Sequence, residues 1–226
     1  MDEERLDIGG AIKYGWRTMV DNMLFFVVLA LIFFVASGVF SGIGGALGRY
    51  PAITIICGLL GFFVGVYIHV ATVYITLKVY KGEKPEFADI FGANRFYWRF
   101  LLADLLYGLI VMIGFILCII PGIYLLIKYH FYGYIMIEQD AGVMDSLKLS
   151  WDITKGVWWD LFLLFILCWL IMLAGFILCG VGALFAWPIV IMAIVYAYKR
   201  ILDTAPRATA PVEMGPPPGM PPVPPA

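Results

Sequence analysis

Between Leu161 and Tyr198 the chain has no Asp, Glu, Lys or Arg at all. Between Asn22 and Leu77 it has only Arg49, and between Phe100 and Ile137 only Asp104 and Lys128. So little charge over such long stretches excludes an ordinary soluble core. Soluble domains are about 45–50% apolar, whereas this chain of 226 residues is 63% apolar. The excess needs lipid to cover it. Other absences narrow the function. There is no HExxH, GxSxG or P-loop pattern, so no enzyme signature is present. The four cysteines, Cys57, Cys118, Cys168 and Cys179, all lie in apolar stretches. They show neither metal-ligand spacing nor a secreted disulfide framework and read as small packing residues. Nothing calls for a metal or a cofactor. A net charge of -1 argues against nucleic acid, which needs a concentrated basic surface. The start, Met1-Asp2-Glu3-Glu4, is acidic where a signal peptide wants positive charge.

What is present is apolar sequence in spans of membrane length. A hydrocarbon core of about 30 Å takes about 20 helical residues. Each apolar block is therefore two spans and a tight turn. The expected architecture is an all-α integral membrane protein of six transmembrane helices, near 23–47, 52–77, 100–118, 120–138, 160–179 and 182–200, paired as three hairpins. Turn residues fall between the members of each pair: Gly48 to Pro51, then Pro121 and Gly122, then Gly180 and Gly182. Proline ends a helix and glycine permits positive φ. Residues 203–226 hold nine of the thirteen prolines. They read as a disordered, polyproline-rich tail, either simply solvated or presented to a proline-binding protein partner.

Fourteen of the fifteen Lys and Arg residues fall on or nearer to one side of this layout, Arg49 being the exception. The positive-inside rule then places both termini in the cytoplasm, with the chain multi-pass in the plasma or inner membrane. Trp16, Trp98, Trp151, Trp158 and Trp159 gather at the same boundary as an aromatic belt. An amphipathic stretch precedes each hairpin. In the first, Ile8, Ala11, Ile12, Trp16, Met19 and Val20 share a face. In the third, Met144, Leu147, Trp151, Thr154 and Trp158 do so. Phe87, Ile90, Phe91 and Tyr97 make a weaker stripe before the second. These are interfacial helices, helices packed on the ends of the bundle, or both. The units also repeat. Gly114-Phe115-Ile116-Leu117-Cys118 returns 61 residues later as Gly175-Phe176-Ile177-Leu178-Cys179. Three copies of one unit, about 7–80, 81–140 and 141–202, are expected.

Ionisable groups inside a membrane are functional candidates by default. Lys128, His130, His69 and Asp104 qualify. A Lys128–Asp104 pair would either line a gate or substrate site with the two histidines or fix helix register. Gly38-x-x-x-Gly42 and Gly61-x-x-x-Gly65 are small-xxx-small patterns. They suit helix packing within the first hairpin, or contact with a second copy. Ser146 and Ser150 beside Lys148 and Lys155 could be drawn as a nucleophile and base, but polar residues of an interfacial helix explain them better.

The stretch Ile120-Pro121-Gly122-Ile123-Tyr124-Leu125-Leu126-Ile127-Lys128-Tyr129 goes beyond composition. It is followed by Ile137-Glu138, Ala141-Gly142, Ser146-Leu147-Lys148-Leu149-Ser150-Trp151 and Thr154-Lys155-Gly156. The pattern resembles bacterial and archaeal six-helix membrane proteins of unknown function. These are related to the membrane domain attached to some glycerophosphodiester phosphodiesterases. Lys128 stands where that family tends to carry Arg, which keeps the charge and loses the fork geometry. With no phosphodiesterase catalytic domain in the chain, the resemblance implies a membrane module rather than hydrolysis. The leading expectation is a non-enzymatic module for assembly or regulation, in contact with lipids and able to form a homo-oligomer. The alternative is a small-solute or lipid transporter or channel with a midplane site near Lys128 and His130. Orientation is open to direct test in a cysteine-free background. A membrane-impermeant thiol reagent should label Tyr50→Cys from outside intact cells and leave Glu83→Cys and Met214→Cys unlabelled; the reverse pattern refutes the topology.

Overall fold

The computed structural model describes residues 6–46, 50–177 and 181–204. It is all-helical, with no strand among these residues. The α-helices described follow in order: α1 (Ile8–Asp21), α2 (Met23–Ala46), α3 (Pro51–Tyr80), α4 (Asp89–Gly92), α5 (Tyr97–Leu117), α6 (Ile119–Tyr129), α7 (Tyr132–Gln139), α8 (Val143–Ile153), α9 (Trp158–Ile177) and α10 (Val181–Thr204). A 3₁₀ turn, Ala93–Phe96, joins α4 to α5. The stretches Thr54–Tyr80, Asp89–Leu117, Trp158–Ile177 and Gly182–Thr204 are long and apolar enough to cross a membrane. The pair α1–α2, bent by 95°, makes a fifth if taken as one span. Helices of this length and apolarity mark a membrane protein.

Local chemistry sets the element ends. Asp7 caps α1 by accepting the Gly10 N–H at 2.8 Å. Asn22 closes α1, its side-chain amide donating to the Thr18 carbonyl at 3.2 Å. The chain then turns into α2. Pro51 opens α3 at a first-turn position where it has no N–H to waste. Asp140 sits in the left-handed region at φ 49°, and Gly156 at φ 86°. These two residues turn the chain on either side of α8.

α1 packs along α10 and not merely beside the bundle. Its buried face is Ala11, Gly15, Thr18 and Met19, while Trp16 and Val20 point outward. A Cβ on Gly15 would lie 2.4 Å from the Ile189 carbonyl oxygen. Only glycine allows this crossing. α8 is likewise rotated from the stripe expected of it. Leu147 and Thr154 of that stripe are buried, but so are Ser146, Ser150 and Ile153, while Met144 is exposed. Both helices are therefore packed on the end of the bundle, and α1 also turns an apolar edge outward.

The fourth expected span, 120–138, is two helices. α6 ends at Tyr129 and α7 begins at Tyr132. The turn before it differs too. α5 and α6 are separated by Cys118 alone, and Pro121 and Gly122 lie inside the first turn of α6. Gly122 serves contact instead: a Cβ on Gly114 would come within 3.0 Å of its Cα. The third hairpin repeats the device, with a Cβ on Gly175 2.8 Å from the Gly182 carbonyl oxygen. The expected turn residues Gly48, Arg49 and Gly180, and the tail from 205 onward, lie outside the described residues. By contrast, a Cβ on Gly38, Gly42 or Gly65 would meet nothing within 4 Å. These glycines do not mediate the close packing expected within the first hairpin; Gly61 is half-buried.

The core sits at one end. On α3, no described side chain from Pro51 to Gly65 is buried, whereas Val70 to Val73 and Ile75 to Leu77 all are. Phe100 and Ala103 on α5, Phe131 to Met136, and Met192 to Tyr198 on α10 fill the same layer. Towards the far end of the α5–α6 and α9–α10 hairpins, burial falls largely to small residues such as Gly114, Gly175, Ala183 and Ala186. A methyl group separates the two kinds of glycine. Gly175→Ala should destabilise the protein by about 1–3 kcal/mol through overpacking. Gly38→Ala should be neutral or up to about 1 kcal/mol stabilising, from helix propensity alone. Thermal unfolding in one detergent compares them, and equal effects would refute the contact assignment.

Candidate functional site within the bundle

The four intramembrane candidates fall in two places. His69 on α3 and Asp104 on α5 meet: His69 Nδ1 is 3.4 Å from Asp104 Oδ2. The Tyr132 hydroxyl, from α7, donates to Asp104 Oδ1. Phe100 stands edge-on to the imidazole, with ring centroids 5.6 Å apart. Tyr107 packs on Tyr132 at 5.2 Å and donates its hydroxyl to the Leu126 carbonyl at 3.2 Å. Asp104 is 15% exposed and His69 is 45% exposed. The carboxylate is thus held from the protein side by a phenol, while the imidazole beside it stays open to the surroundings. This arrangement can accept a hydrogen bond or share a proton.

Lys128 is elsewhere. It has no bond to Asp104, so the expected Lys128–Asp104 pair is not formed. The residue is 3% exposed. Its Nζ lies over the Trp151 ring at 5.2 Å and the Tyr124 ring at 5.6 Å. Aromatic faces attract an ammonium, more strongly when water is excluded. Tyr124 in turn packs on Trp158 at 5.6 Å. Two of the five belt tryptophans, Trp151 and Trp158, are thus turned inward to this cluster. Trp16, Trp98 and Trp159 remain exposed. His130 is packed edge-on against Phe165, with centroids 4.7 Å apart.

The break between α6 and α7 explains Ser150. Ending one helix and starting another leaves the Lys128 carbonyl and the Phe131 N–H without ladder partners. Ser150, 0% exposed on α8, supplies both: its hydroxyl donates to the Lys128 carbonyl at 3.0 Å and accepts the Phe131 N–H at 3.2 Å. The Thr154 hydroxyl also lies 3.4 Å from that carbonyl. Ser146 instead donates to the Val143 carbonyl within its own helix, at 2.8 Å. Neither serine faces a general base.

Around this layer several charges are paired. Lys78 meets Asp89 at 2.6 Å, Arg99 meets Asp140 at 2.6 Å, and Glu138 bonds Lys199 across α7 and α10. Among the described residues, no three His, Cys, Asp or Glu side chains converge as metal ligands must. Sequence reasoning found His69 and Asp104 but missed Tyr132. A tyrosine in an apolar run carries no signal of its own, and only the α6–α7 break brings it to Asp104. Compared with protein-family models, curated proteins and solved structures, the chain matches none.

Proposed function

We propose that the chain is a non-enzymatic membrane module for assembly or regulation, with six spans in three hairpins and both termini cytoplasmic. α6 and α7 together are the fourth span in this reading, broken at His130. One observation carries the choice. The groups a transport site would need in a cavity are used in packing: Lys128 is sealed between Tyr124 and Trp151, and His130 lies against Phe165. The paired approaches Gly114–Gly122 and Gly175–Gly182 support descent of the hairpins from one unit. The resemblance to six-helix membrane modules is in keeping with this reading. So is the His69–Asp104 pair, half open on the α3–α5 face. An ionisable group facing lipid is costly, and a second copy or a membrane partner supplying a polar group would relieve the cost.

The same pair is what favours the runner-up, transport along that face. Reconstituted liposomes separate the two. Wild type and Lys128→Met should both fold, differing by about 1.5 kcal/mol or less because the volume is conserved. Neither should conduct small ions or solutes above protein-free vesicles. Flux by wild type above protein-free vesicles would overturn the module reading, whether or not Lys128→Met retains it.

A further inference from the structure

A cavity of about 270 Å³ opens at the charged end, apart from the groups just described. The last turns of α3 contribute Tyr74, Leu77 and Lys78, the following loop Lys81 and Glu83, the 3₁₀ turn Arg95, and the end of α7 Ile137 and Glu138. We propose that this cavity binds a phosphate-bearing anion, with Lys81 and Arg95 as its primary ligands and Lys78 behind them. The site stands independently of whether the chain conducts solutes.

Some charges around the cavity are already neutralised and others are left over. Lys78 is held by Asp89 at 2.6 Å, and Glu138 by Lys199. Lys81 and Arg95 line the cavity, are exposed, and have no carboxylate partner among the described residues. The Arg95 guanidinium stacks 4.3 Å from the Phe96 ring centroid, and Phe96 is 1% exposed. That fixes one end of the arginine while leaving its donors free. Arg and Lys together suit a phosphate: the fork gives directed hydrogen bonds and the ammonium a point charge. Tyr74 adds a hydroxyl to the lining.

The cavity is also built, not merely charged. Asp89 holds the loop from both sides, accepting from Lys78 and, at 2.8 Å, from the Glu86 N–H. Gly82, at φ 83°, turns the chain so that Glu83 comes back over Lys78. Glu83 is the group an anion would displace. Its carboxylate is 57% exposed and only 3.9 Å from Lys78 Nζ, a loose hold in water. A water occupies about 30 Å³, so the space admits a phosphate group with several waters. Its place beyond the apolar part of α3 is the depth of lipid headgroups, so the phosphate has two sources, a lipid or free phosphate in solution.

Purified protein in phosphatidylcholine nanodiscs tests this by thermal unfolding. One arm titrates inorganic phosphate against chloride at matched ionic strength; the other replaces part of the lipid with phosphatidic acid. A ligand that binds only the folded state raises the midpoint. A rise in the first arm assigns free phosphate, and a rise in the second alone assigns the lipid. The double variant Lys81→Gln/Arg95→Gln changes only exposed side chains and should weaken binding about tenfold or more. Glu83→Gln should strengthen it. No shift for wild type in either arm, an equal shift in the double variant, or weaker binding by Glu83→Gln would each overturn the proposal.

Discussion

A backbone amide or carbonyl buried away from water must find a partner. In this protein that constraint bears most heavily on the joint between α6 and α7. The chain leaves one helix at Tyr129 and begins the next at Tyr132. The freed N–H is paired by the Ser150 hydroxyl from a different helix, and the freed carbonyl by Ser150 with Thr154 beside it. The break is therefore stable only while α8 is docked. α8 in turn brings Trp151 over Lys128, and α7 brings Tyr132 to Asp104 and Glu138 to Lys199. Packing, the intramembrane polar cluster and the charged layer all depend on the same joint.

The joint lies in a structure with its core at one end. Short helices α7 and α8, with α1 laid on α10, fill the space between the ends of the long helices. There, large side chains such as Phe100, Phe131, Tyr132 and Tyr198 are fully or almost fully buried. Towards the other end the helices of the α5–α6 and α9–α10 pairs touch chiefly through small residues and turn Leu, Ile and Phe outward. Lipid is as apolar as leucine, so burial there drives little association and close packing must do the work. Glycines such as Gly114, Gly122, Gly175 and Gly182 do it within hairpins. Gly38, Gly42 and Gly65 have no such partner among the described residues.

Much of this was legible in the residues. Apolar length located the long helices, because hydrocarbon thickness is a simple ruler. Asp104 and His69 were found because charge within an apolar run is conspicuous. The amphipathic helices were placed in sequence and part of each stripe is buried, Ala11 and Met19 on α1 and Leu147 and Thr154 at α8, but Trp16, Val20 and Met144 point outward. Gly15, Thr18, Ser146 and Ser150 look polar or neutral in a sequence, yet close backbone contact and backbone hydrogen bonds make them the inward side. Likewise Pro121 and Gly122 read as a turn because proline and glycine usually are one. Proline is equally at home in the first turn of a helix, and Gly122 was needed for contact with α5. The partners of Lys128 were legible only in part: Tyr124 stands one helical turn before it on α6, whereas Trp151 comes from α8 and only folding brings it there.

The dependence of the layer on Ser150 is most directly tested by Ser150→Ala, read by amide exchange at Phe131 together with thermal unfolding in detergent. Leaving the buried Phe131 N–H unpaired, with only Thr154 at the Lys128 carbonyl, costs about 1–3 kcal/mol, and at this chain length each kcal/mol lowers the midpoint by about 2–4 °C. That loss is the expected result, with faster exchange at Phe131 and through α7. Unchanged stability with Phe131 protected as in the wild type would contradict the central role of the joint.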